Sequence, residues 1–133
     1  MKKILLLSLT ALLGACSSMN STPQQATLNG EVFYLQRIAL PPTATLEVSL
    51  QDVSLADAPA VTLAKQSGQI KGQVPLPFQL TYDPAHLKPG HTYAVSARIE
   101  EDGKLLFITQ QRNTVELNGK DPQPLRIRVD QVR

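Results

Sequence analysis

The residues able to do chemistry are few and scattered. The chain holds one cysteine, Cys16, and two histidines, His86 and His91. The histidines flank Lys88-Pro89-Gly90, a turn. A zinc site takes three or four nitrogen, sulfur or carboxylate ligands, and nothing at a suitable spacing supplies the third. Both are read as surface turn residues, and no metal or other cofactor is expected. A serine hydrolase would set its nucleophile on a G-x-S-x-G elbow, which is missing from the sequence. Glu100-Glu101-Asp102 resembles a carboxylate pair but surrounds a hairpin tip, where water solvates it. Gly68 to Gly72 (GQIKG) lacks the following helix that a phosphate-binding loop uses. The expectation is therefore a protein that is not an enzyme. Arg37 stands among apolar neighbours in Tyr34 to Leu40. Such an arginine either pairs with a carboxylate, Asp52 and Asp57 being the candidates, or faces a ligand.

Cys16 acquires meaning from what precedes it. Met1-Lys2-Lys3 gives a positive start, and Ile4 to Leu13 is a short apolar run. It falls short of the ~20 residues that span a bilayer, and it reads as a secretory signal peptide. The run ends Leu13-Gly14-Ala15-Cys16, which resembles the bacterial lipobox. That resemblance implies cleavage before Cys16 and acylation of its thiol and new amino group. One acyl chain binds a membrane marginally, whereas two or more hold firmly. Ser17, rather than aspartate, follows the cysteine, which by analogy directs such a protein to the outer membrane, facing the periplasm.

Taking residues 1–15 from the 133 leaves 118, enough for one domain with its own core. The full chain carries 13 Lys+Arg against 11 Asp+Glu. Lys2 and Lys3 leave with the signal, so the mature chain is formally neutral. No basic cluster suggests nucleic acid. With Cys16 given to lipid, no disulfide can form. Residues 16–27 are polar and aperiodic, and read as a tether reaching ~20 Å as a coil. The domain is expected over 28–133.

The elements that would position any site are strands. Leu46 to Gln51, Leu76 to Tyr82, Tyr93 to Glu100 and Leu125 to Asp130 alternate apolar and polar residues. Period two with one apolar face marks half-buried antiparallel strands. Weaker strands are expected at Asn29 to Leu35, Val61 to Lys65 and Leu105 to Thr109. Asp102-Gly103 predicts a hairpin. Asp83-Pro84 predicts one helical turn, with Asp83 as its cap. About seven antiparallel strands make an all-β, immunoglobulin-like β-sandwich. In Leu105 to Ile108 both faces are apolar. Either this strand is central and covered on both sides, or Leu106 and Ile108 face a partner.

Two long runs resemble the YbaY family of bacterial lipoproteins: GEVFYLQRIALPPTATLEVSLQDVSLADAP (Gly30 to Pro59) and VPLPFQLTYDPAHLKPGHTYAVSARIEEDGKLLFIT (Val74 to Thr109). The carrying features are Tyr34-x-x-Arg37-x-Ala39-Leu40-Pro41-Pro42, Asp52-Val53-Ser54-x-Ala56-Asp57-Ala58-Pro59, Pro77-Phe78-x-Leu80-x-Tyr82-Asp83-Pro84, and Tyr93-Ala94-Val95-x-Ala97-Arg98-Ile99 before Asp102-Gly103. The family is grouped with the YscW-like pilotin lipoproteins of type III secretion. The resemblance implies a tethered sandwich that binds an envelope protein such as a secretin and escorts it to the outer membrane. It brings no catalytic residues. The competing expectations are a glycan or cell-wall binder and a structural envelope-stress lipoprotein. The absence of tryptophan, and the core-facing positions of most of the three Phe and three Tyr, count against a sugar platform.

Overall fold

Strand β4, Leu76–Tyr82, shows the building rule in its simplest form. Leu76, Phe78, Leu80 and Tyr82 are buried, while Pro77, Gln79 and Thr81 are exposed. Side chains on a strand point alternately to its two faces, so one face must meet another apolar face. The computed structural model describes Gly14 and residues 24–133, so the leader, Cys16 and most of the tether lie outside the described residues. Among the described residues the remaining strands are β1 (Ala26–Phe33), β2 (Thr45–Asp52), β3 (Val61–Gln69), β5 (Tyr93–Glu101), β6 (Lys104–Ile108), β7 (Asn113–Val115), β8 (Leu125–Arg128) and β9 (Asp130–Gln131). The first begins at Ala26, two residues ahead of the expected boundary.

The strands form two sheets, ordered β4-β1-β8 and β3-β2-β5-β6-β9, with β7 on the edge of β5. The fold is the expected β-sandwich. Val32, Leu80 and Ile127 of the small sheet meet Val48, Leu50, Val95, Ile99 and Phe107 of the large one, all at most 2% exposed. Each such side chain contributes roughly 1.5–3 kcal/mol by leaving water. Gly30 lies in the middle of β1 because Phe78, opposite it, covers its face. A Cβ there would sit 2.4 Å from the Phe78 ring and 2.7 Å from the Leu125 carbonyl oxygen.

Three features depart from the expectation of about seven antiparallel strands. First, β1 and β8 run parallel. Second, the strand expected over Leu125 to Asp130 is split between the sheets. The Val129 N–H still donates to Phe33 O at 2.9 Å, but Asp130 pairs with Ile108 in the other sheet. Third, a short β7 and a two-residue β9 are added. The two local turns are as read. Asp102 and Gly103 have φ of 49° and 80°, the left-handed pair that a two-residue hairpin turn requires. Asp83 Oδ1 accepts from Ala85 N at 2.9 Å, capping the one-turn helix Pro84–His86.

The register gives the sandwich two poles. One holds the 34–44 connection, residues 70–75 and the β5–β6 hairpin. The other holds the start of β1, the 53–60 loop, residues 83–92 and residues 116–124. Tyr93 Oη accepts the Lys88 N–H at 2.7 Å and ties the second pole together.

Replacing Val95 or Ile127 with Asp puts a charge between the sheets with no partner. A loss of about 3 kcal/mol or more is expected, read as a fall in Tm of over ~10 °C by circular dichroism. Gly30→Ala should also lower Tm, because its Cβ meets backbone that cannot give way. An unchanged Tm in these variants would put the inner faces out of register.

Candidate functional site: a pole with an apolar groove and an amide-lined basin

The connection after β1 is fixed at both ends and exposed in the middle. Tyr34 stacks on Phe107, with ring centroids 4.2 Å apart and planes at 11°, a contact adding ~0.5–1.5 kcal/mol beyond burial. Its hydroxyl donates to the Ile38 carbonyl. At the far end Leu40 is buried. The Gln73 side chain grips its backbone from both directions: Leu40 N donates to Gln73 Oε1 at 2.6 Å, and Gln73 Nε2 donates to Leu40 O at 3.0 Å. Between these clamps Leu35 is 64% exposed and Ile38 is 46% exposed. Arg37 is exposed with them.

Beside this loop runs a groove of about 260 Å³ lined by Ile38, Leu40, Leu106 and Val132, with Glu101 and Lys104 at its rim. A β-bulge shapes it. Ile99 pairs with Phe107 and Glu100 with Leu105, so Leu106 is the extra residue of β6. The Val132 N–H donates to Leu106 O at 2.9 Å and pins the C-terminal segment along the groove. Across that segment lies a wider basin of about 740 Å³ lined by Gln36, Gln110, Gln111, Gln131, Arg128, Asp130 and Arg133. Arg128 is already engaged by Asp130, at 3.0 Å. Among the described residues Gln36 Oε1 has no hydrogen-bond partner.

The other expected site residues fall elsewhere. Arg37 makes no ion pair among the described residues, so its pairing with Asp52 or Asp57 is not found. Asp52 is occupied at the opposite pole. Its Oδ1 accepts from Ser54 N at 3.0 Å and Ser54 Oγ at 2.5 Å, and its Oδ2 lies 2.5 Å from His91 Nδ1. Asp57 is exposed in the 53–60 loop. Ile108 is half-buried on the outer face of the large sheet, beside Ser49, Ser96 and Arg98. β6 is flanked by β5 and β9, yet only Phe107 of it is fully buried. Arg37 and Leu106 therefore share one pole, and Ile108 does not.

The Asp52, Ser54 and His91 contacts are arranged structurally. A serine nucleophile needs its hydroxyl on the imidazole and the imidazole on the carboxylate. Here serine and imidazole both bond to Asp52, an arrangement that staples the end of β2 to Thr92, whose N–H donates to Ser54 Oγ at 2.8 Å. His86 lies 3.9 Å from Asp83. Among the described residues no three His, Cys, Asp or Glu side chains gather as metal ligands. Five of the six aromatic rings are buried, and Arg126 stacks over the sixth, Phe33, at 4.4 Å.

Fold and surface together define a small β-sandwich module with one mixed apolar and amide-lined pole. Residues 23–127 match the family model described as type III secretion system lipoprotein chaperone (YscW), and the chain belongs to that family. A solved structure, that of an alternative pilotin from the type II secretion system of Vibrio cholerae, is similar with a TM-score of 0.77 at 46% identity, covering 83% of this chain and 99% of that one. The uncharacterized lipoprotein YbaY of Escherichia coli (strain K12) is 44% identical over 87 residues, 65% of this chain and 46% of the relative. The chain thus spans about half the length of that relative.

Sequence reasoning singled out Arg37 and Leu106 but missed Ile38, Gln36, Gln73 and Val132. Ile38 and Gln36 were next to Arg37 in plain view. The clamp from Gln73 and the approach of Val132 are long-range contacts with no local signature.

The staple makes a pH prediction. The Ser54 hydroxyl, followed by the His91 imidazole, holds the Asp52 carboxyl down from 3.8 to about 2. A depressed carboxylate stabilises the fold above its unfolded value and ceases to do so as pH falls through its folded value. Wild type should therefore exceed Asp52→Asn in stability at neutral pH, with the gap closing between pH ~4 and ~2. Urea titrations at stepped pH check this; a gap that persists at pH ~2 would mean the staple is not ionic.

Proposed function

We propose that this chain is a non-catalytic, pilotin-like chaperone held at the outer membrane by acylated Cys16. It faces the periplasm, where its Arg37–Ile38 pole receives a segment of an envelope protein such as a secretin. The observation that carries the reading is the pairing of groove and basin. An apolar groove with exposed Ile38 takes an apolar side of the segment. The glutamines across the Val132 segment take a polar side. An amphipathic helix laid in a groove presents those two sides at once. Membership of a lipoprotein-chaperone family and the likeness to a pilotin support the same reading.

The tests are direct. The native lipidated protein is crosslinked in outer membranes, and what it captures is identified by mass spectrometry. One dominant envelope protein is expected. Ile38→Asp, at an exposed position, should leave Tm unchanged and cut that capture about tenfold or more, the range of a buried anchor in an interface. Undiminished capture would move the binding surface off this pole. Cys16→Ala should shift the protein from the membrane fraction to the soluble one; retention would refute the lipid anchor.

A further inference from the structure

The pole opposite the groove carries its own anomaly. The loop between β2 and β3 reads Ser54-Leu55-Ala56-Asp57-Ala58-Pro59-Ala60, and every residue of it is exposed. Five of these seven are apolar. Leu55 is 71% exposed, the largest value among the exposed large apolar side chains, and Val61, which starts β3, is 60% exposed. Scattered surface leucines are ordinary, but here Leu55, Ala56, Ala58, Pro59, Ala60 and Val61 are all exposed within one short stretch broken only by Asp57, the kind of clustering that contact surfaces show. Nor does the loop hang free. The Asp52–Ser54–His91 staple holds its base, and Val53 N donates to Thr92 O at 2.8 Å.

The tether decides what that surface meets. β1 starts at this same pole, and nine residues separate Cys16 from Ala26. A coil of that length has an end-to-end distance of ~17 Å. The sandwich is longer than that: the eight residues of β1 alone span ~26 Å. With Cys16 in the bilayer, the tether keeps the Leu55 pole near the lipid. Turning the groove pole to the membrane would need the tether drawn out along the length of the domain. Charge adds no pull. Residues 53–60, 83–92 and 116–124 carry Lys88 and Lys120 against Asp57, Asp83, Glu116 and Asp121, besides the two histidines.

We infer that the Leu55 loop is a bilayer-contacting surface, seated by apolar contact on the leaflet that holds the lipid anchor, so that the groove pole points away from the membrane. This rests on the lipid-anchor reading of Cys16. The contact orients the domain, while the acyl chains supply the attachment.

The test uses full-length lipidated protein carrying Leu55→Cys or Ile38→Cys. Acylation blocks Cys16, so a thiol-reactive fluorophore labels the new site alone. Each protein is placed in phosphatidylcholine vesicles whose acyl chains carry nitroxide quenchers. The label at position 55 should be quenched about threefold or more above the label at position 38, and salt should leave this unchanged. Equal or reversed quenching would overturn the proposal, as would quenching at position 55 abolished by salt. The mass of the N-terminal peptide separates the two readings. Unmodified Cys16 would overturn anchor and contact together, whereas acylated Cys16 with an unquenched label at position 55 would overturn the contact alone.

Discussion

The sandwich depends on one residue where the chain changes sheets. Val129 is fully buried, and its N–H extends the β1–β8 ladder at Phe33 O. One residue later Asp130 pairs with Ile108 in the large sheet. A single extended segment therefore bonds to both layers across its buried side chain. No disulfide can do this work in a chain with one cysteine. Backbone crossing and apolar burial must hold the sheets together. The crossing also explains the parallel pairing of β8 with β1: the last strand has to leave the small sheet in the direction that reaches β6.

That crossing closes one side of the sandwich and shifts attention to the other. There β4 is the free edge of the small sheet. The Gln79 N–H points away from β1 and is taken by Gln66 Oε1 at 2.7 Å. Two residues earlier, on the same side, stands Pro77, which has no N–H to offer. An edge so blunted is a poor template for an added strand. Strand addition at β4 is thereby disfavoured, in keeping with the proposal that the Arg37 pole, rather than this edge, receives a partner.

Much of this was legible in the sequence, because period two is a local signal. Leu76 to Tyr82 alternates without error, and its burial follows letter for letter. Asp102-Gly103 and Asp83-Pro84 likewise act over two to four residues, and both turns are as read. What could not be read are pairings between distant segments. Alternation is the same for parallel and antiparallel partners, so the β1–β8 orientation was invisible. The bulge at Leu106 hid the meaning of Leu105 to Ile108, since one extra residue makes both faces look apolar. For the site, composition suggested that Arg37 wanted a carboxylate, but Asp52 was committed to Ser54 and His91 at the other pole. An arginine and an aspartate fifteen residues apart on adjoining elements are not thereby neighbours.

The two proposed surfaces share one physical property, a backbone held in place on both sides of the exposed residues. The exposed part of the groove loop lies between two clamps, the Tyr34 stack and the Gln73 grip on Leu40, so little order remains to be imposed when a segment docks. Side chains fixed in advance lose less entropy on binding. The same holds for the Leu55 loop, whose base is bonded through Asp52 and Ser54 rather than left to the turn alone. In the proposed arrangement the acyl chains bear the attachment, so neither surface needs large area. A domain so held would meet its partner at high local concentration, and modest affinity would then suffice for capture.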